Sequence, residues 1–175
     1  MWVWRVAAAL MAFAVMGMSA PVEARDEHDL LSFWIGASDV TDFDEETVEG
    51  RIEYTSRLTD FAFEPFFGGV GPLVGLMVGG KGSVFVYAGV YGDFFLGPKL
   101  VIRPEGGLGV FREGDAKDLG GVLEIHSALT IAYIFDNGAR LGITGAHISN
   151  AGNHGSNPGL ESLLLSYAVP IGPLF

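Results

Sequence analysis

The chain has 175 residues, no cysteine, 26 glycines and a formal net charge of −11. That length allows one domain, the missing cysteines exclude a disulfide-stapled fold, and the acidic balance argues against nucleic acid, whose phosphates need clustered lysine and arginine. Apolar residues make up 49% of the chain, and glycine stands at about twice its usual share of roughly 7%, a composition poor for helices.

Residues 1–24 read as a secretory signal peptide. Arg5 precedes an apolar run from Ala7 to Met18, and Val22 and Ala24 stand where a signal peptidase reads small residues. The run is too short for a membrane helix, which takes roughly 20 residues. Residues 25–175 are then expected to form a single domain.

Eight β-rich segments follow, at about 30–39, 47–58, 61–79, 83–94, 98–111, 121–136, 139–148 and 160–170. The first leads into a run of acidic residues. In the second, Ile52, Tyr54 and Leu58 alternate against Arg51, Glu53, Thr55 and Arg57. The third overlaps the run Pro65 to Gly80, free of charge but interrupted by six glycines and two prolines, which rule out a helix there. The fifth sets Arg103 and Glu105 opposite Ile102 and Leu108. The sixth places Leu123, Ile125, Leu129, Ile131, Tyr133 and Phe135 on one face, and Glu124, His126, Ala128, Thr130 and Ala132 on the other.

The connections alternate in length. Leu58-Thr59-Asp60, Leu96-Gly97-Pro98 and Asp136-Asn137-Gly138 are short, and Asn-Gly is a strong hairpin signal. Segments 40–46, 112–120 and 149–159 are longer and polar. Short turns on one rim and long external loops on the other are the outer-membrane barrel arrangement. The short link at Gly80-Lys81-Gly82 departs from it. Strands in lipid must close, because open edges cannot be satisfied there. The sequence therefore predicts an all-β fold, an eight-stranded antiparallel transmembrane up-and-down β-barrel. Charges of both signs collect on the inner face, which predicts a lumen plugged by structural ion pairs, because eight strands leave an interior that side chains fill. The terminal Phe175 is a common assembly signal of such barrels.

The seventh segment puts Leu141, Ile143, His147 and Ser149 on one face, and the eighth does the same with Glu161, Leu163, Leu165, Tyr167 and Val169. His147, Ser149 and Glu161 thus emerge together on the apolar, lipid-facing side, where polar groups are costly and tend to be functional. Their types suit acyl transfer. A serine needs an adjacent base to become a nucleophile, and a carboxylate can hold that base's tautomer. Asn150 and the backbone through Gly152 are the nearest candidate oxyanion donors. On spacing alone, a merely polar barrel rim stays open as the alternative.

The run His147-Ile148-Ser149-Asn150-Ala151-Gly152, followed by Asn157-Pro158-Gly159-Leu160-Glu161-Ser162, resembles the signature of the PagL-type lipid A 3-O-deacylases. Tyr87-Ala88-Gly89, Leu119-Gly120, Leu123-Glu124, Tyr133, Phe135-Asp136-Asn137-Gly138 and Ser166-Tyr167-Ala168-Val169-Pro170 look like this family too. The loop 151–160 and the first three segments match only loosely. The resemblance implies an outer-membrane hydrolase that removes the ester-linked acyl chain at the 3-position of lipid A. It also implies Ser149 as nucleophile, His147 as base, Glu161 as its orienter and Asn150 at the oxyanion hole, with no metal or organic cofactor.

Lipopolysaccharide is then the expected partner, in the outer leaflet, with monomer and homodimer both open. Two rivals remain: a glycerophospholipid esterase of the outer membrane and a non-enzymatic structural or adhesive barrel. No spacing among His28, His126, His147 and His154 reads as a metal site. His154 is a candidate substrate contact, and His28 and His126 are expected to be structural. Asp39, Asp42, Asp44, Glu45, Glu46 and Glu49 are expected to form a solvated acidic loop. The sharper alternative is that divalent cations bridge them to lipopolysaccharide phosphates.

Overall fold

The computed structural model describes residues 29–41, 46–57 and 67–172. The expected signal segment, His28, the turn at 58–60 and the terminal Phe175 lie outside the described residues. Eight strands run in chain order: β1 (Asp29–Ser38), β2 (Thr47–Thr55), β3 (Phe67–Gly79), β4 (Val84–Phe95), β5 (Leu100–Arg112), β6 (Leu123–Ile134), β7 (Arg140–Ser149) and β8 (Leu160–Ile171). Each pairs antiparallel with its sequence neighbours, and β1 pairs with β8 to close the barrel. The all-antiparallel up-and-down topology is the one the sequence predicts.

Turn chemistry fixes one rim. Between β6 and β7, Gly138 takes a φ of 79° that a side chain would resist, its N–H bonds to the Phe135 carbonyl at 2.9 Å, and Asn137 Oδ1 accepts from the Ala139 N–H at 3.1 Å. The sequence carries the second strand to 58, whereas β2 ends at Thr55; position 58 itself and the expected start of the third strand at 61–66 lie outside the described residues. Among the described residues the β2–β3 pairing runs to Thr55↔Leu73, and the Ser56 N–H prolongs it by donating to the Pro72 carbonyl at 3.1 Å. The first described residues of β3 pair with β4, with a register shift between Phe67 and Gly69.

Alternation decides the two faces. In β6, Glu124, His126, Ala128, Thr130 and Ala132 are buried while Leu123, Leu129, Ile131 and Tyr133 are exposed. Strands β4, β5, β7 and β8 repeat this: Val86, Val90, Leu108, Ile143 and Leu163 all point outward and are more than half exposed. A wall of exposed aliphatic side chains around a charged interior inverts the order of a water-soluble protein, and hydrocarbon is the surrounding that suits it.

The lumen is filled. Met77, Phe85, Tyr87, Tyr91, Phe111, Leu119, Ile148 and Leu160 pack as one buried cluster toward the rim of the longer loops. Nearer the short turns, Arg103 grips Asp93 with two hydrogen bonds of 2.6 and 2.9 Å, Arg140 adds a third at 2.7 Å, and the Arg103 guanidinium lies 4.0 Å from the Tyr91 ring centroid. Arg51 pairs with Glu49 at 2.7 Å. These buried pairs are the ion pairs expected from the inner-face charges.

Candidate active site

The barrel register brings the three expected residues to one place. His147 on β7 stands directly opposite Glu161 on β8, and its Nδ1 lies 3.1 Å from Glu161 Oε1. Ser149 follows two residues later on β7, opposite Ile125 of β6. Cα atoms so related sit roughly 6.5–7 Å apart on one face of a strand. Among the described residues Ser149 Oγ makes no hydrogen bond to the imidazole, a looseness common in catalytic sites that hold no substrate. The His147 and Glu161 side chains are 44% and 34% exposed, whereas Ser149 is buried. They share the outward face with the exposed Leu141, Ile143, Leu163 and Leu165, at the end of it that borders the long loops.

Thr41, which no sequence pattern singles out, completes the carboxylate's environment. Its hydroxyl donates to Glu161 Oε2 at 2.7 Å, so both Glu161 oxygens are engaged, one by the imidazole and one by Thr41. The backbone brings Thr41 there, because the Val40 N–H bonds to the Glu161 carbonyl at 3.1 Å and continues the β1–β8 pairing past the strand end. Asp39, at a φ of 60°, anchors the same loop through Lys117 Nζ at 2.9 Å. The acidic run is therefore not one solvated loop. Asp39 and Glu49 are buried and paired, Glu46 is exposed, and Asp42, Asp44 and Glu45 lie outside the described residues.

The loop after Ser149 is folded tightly on Asn150. The Asn150 side-chain amide donates to the carbonyls of Leu119 and Ser156 at 2.7 and 2.8 Å. Its Oδ1 accepts from the Gly152 N–H at 2.9 Å, and its own N–H donates to Asn157 Oδ1 at 3.1 Å. The N–H groups of Asn150 and Gly152, expected as oxyanion donors, are thus engaged within the loop in this conformation. At the loop's far end Gly159 has a φ of 71°, and a Cβ there would lie 3.0 Å from His147 Cε1 and 3.3 Å from Glu161 Oε1. Only glycine fits both the backbone and the space. His154 is exposed and its ring packs on Gly121, while His126 is buried in the lumen as expected.

Below the site the outer wall has a notch. Gly145, two residues before His147, faces outward into open space. Its register partners are Leu129 on β6 and Leu163 on β8, both exposed. A strip without side chain, bordered by leucines and ending at the imidazole, offers apolar walls to an extended hydrocarbon chain.

A family model described as lipid A 3-O-deacylase (PagL) matches residues 63–170. Among solved structures, the outer membrane enzyme PagL aligns with a TM-score of 0.70 at 21% identity, covering 81% of this chain and 99% of that one. A chain from the de novo design of transmembrane β-barrels aligns with a TM-score of 0.57 at 11% identity, covering 86% of this chain and 100% of that one. At such identities these structural likenesses speak to the fold alone. No curated protein sequence matches the chain.

Proposed function

The chain belongs to the PagL family of lipid A 3-O-deacylases, and on that premise we propose that it hydrolyses the 3-position acyl ester of lipid A with Ser149 as nucleophile, from the outside wall of the barrel. The observation that carries this reading is the His147–Glu161 contact at 3.1 Å on the apolar outer face, with Ser149 next along the same face. In this mechanism Ser149 Oγ attacks the ester carbonyl while His147 takes its proton. Glu161 accepts the other imidazole N–H, fixing the tautomer and stabilising the imidazolium. Collapse of the tetrahedral intermediate returns the proton to the departing sugar hydroxyl and leaves the acyl group on Ser149. Water, deprotonated by the same histidine, then frees the fatty acid and restores the serine. The Asn150 and Gly152 N–H groups serve as oxyanion donors only if substrate draws the 150–157 loop out of its internal hydrogen bonds.

The long-loop rim faces outward in this reading, which places the site at the outer leaflet, with residues 1–24 removed on export. Substrate enters sideways from the membrane, since the lumen is filled, and one acyl chain lies along the Gly145 notch. All three catalytic groups come from one chain, so a single barrel suffices. The test is to supply the purified, folded barrel with lipid A and with glycerophospholipids in mixed micelles, and to identify released fatty acids by mass spectrometry. The proposal predicts release of the hydroxyacyl group from lipid A alone; release from phospholipids at a comparable rate would favour the phospholipid-esterase reading.

A further inference from the structure

The lumen contains a second cluster of chemically capable side chains, remote from the outer-wall site. Glu53 on β2, Glu105 on β5 and His126 on β6 each present a donor atom within 4.8 Å of the others. In the closed order of strands β2 stands across the barrel from β5 and β6, so the cluster links opposite walls. All three residues are buried. We propose that Glu53, Glu105 and His126 hold one divalent transition-metal ion, of the zinc class, at the centre of the barrel.

Two observations beyond proximity support a ligand here. First, Glu53 Oε1 is buried with no hydrogen-bond partner among the described residues, and buried polar atoms are seldom left so. Arg51 and Arg103 act on both carboxylates through space and not through an ion pair. Arg51 is committed to Glu49 and Arg103 to Asp93, and no ion pair joins an arginine or lysine to Glu53 or Glu105 among the described residues. Second, His126 Nε2 lies 3.4 Å from Glu105 Oε1. That is long for a hydrogen bond, whose usual length is about 2.9 Å. It equals the edge, roughly 3.4 Å, between two ligands of a tetrahedral ion bound at about 2.1 Å.

The surroundings also orient the ligands. The Tyr87 hydroxyl donates to Glu53 Oε2 at 3.0 Å, which leaves Oε1 as the coordinating atom, and the Tyr87 ring packs 4.5 Å from the His126 ring. Such outer partners hold metal ligands in place. One imidazole with two carboxylates suits zinc or a neighbouring first-row divalent ion better than calcium or magnesium, which prefer oxygen alone. Water can fill the fourth position. The ion neutralises the two carboxylates and ties the walls together; buried as it is, it enters while the barrel closes.

The test is to refold the full-length mature chain into detergent micelles with zinc, dialyse it extensively, and count zinc per folded barrel by mass spectrometry. The expected result is about one zinc per barrel, retained by Ser149→Ala and His154→Ala and lowered at least about tenfold in Glu105→Gln and His126→Gln. No zinc on the wild-type barrel would overturn the proposal, because protons or water would then satisfy the cluster. Equal retention by His126→Gln would overturn it too, by moving the metal to exposed groups. Should the variants fail to fold, the wild-type barrel refolded with cobalt decides the matter. Strong visible bands of low-coordinate cobalt support the site, and the weak spectrum of hydrated cobalt refutes it.

Discussion

Replacing Thr41 by valine removes one hydroxyl and keeps the side chain's shape, so it isolates the contact with Glu161 Oε2. That hydrogen bond is short, 2.7 Å, and its acceptor is a carboxylate. Bonds to charged groups contribute about 1.5–3 kcal/mol when sheltered, and neutral ones about 0.5–1.5 kcal/mol. Thr41 is exposed, where water competes, so about 1–1.5 kcal/mol is the reasonable scale. The bond holds the orienting carboxylate and does not touch substrate, so its loss falls on the transition state, where the imidazolium forms. The expected outcome is a kcat lower by about five- to tenfold with KM unchanged. The assay is fatty-acid release from lipid A micelles by the folded barrel, with Thr41→Ser as the rescue. An unchanged kcat in Thr41→Val, a change in KM alone, or a serine variant as slow as valine would refute the positioning argument.

Three further outcomes follow from the same geometry. Gly159→Ala forces a side chain into the left-handed region, at about 1–2 kcal/mol, and crowds His147; kcat should fall about tenfold while the barrel's mobility on unheated gels stays that of the folded form. Gly145→Leu fills the notch below the site and should reduce kcat/KM for long-chain lipid A by at least about tenfold, with a smaller loss on a short-chain ester, and equal losses on both would remove the notch as a chain-binding strip. Asp93→Asn leaves Arg103 and Arg140 without their shared carboxylate in the lumen. It should destabilise the barrel by about 3 kcal/mol, read as a lower urea midpoint.

Strand parity made much of this legible in the sequence. A period of two needs no knowledge of partners, so the inward Glu124, His126 and Thr130 and the outward His147, Ser149 and Glu161 could be assigned from spacing. Where a strand stops depends on its neighbour, which explains β2: the sequence stays β-like to Leu58, yet the strand ends at Thr55, whose partner in β3 is Leu73. Thr41 was invisible for a related reason. Its partner Glu161 lies 120 residues away, and barrel closure through β1 and β8 is what joins them. The same holds for Glu53, Glu105 and His126, whose meeting across the lumen leaves no spacing motif. Asn150 shows a further limit: its residue type fits an oxyanion donor as well as a loop clamp, and only the bonds to Leu119 and Ser156 tell which it is in this conformation.

In the proposed reaction Ser149, on the outer wall, cleaves the 3-position ester. The most direct measurement is the mass spectrum of lipid A from cells producing either the wild-type barrel or Ser149→Ala at matched folded levels. Loss of one hydroxyacyl group is expected with the wild type, and intact lipid A with the variant. Deacylation that persists in Ser149→Ala, or lipid A left intact by the wild type, would contradict it.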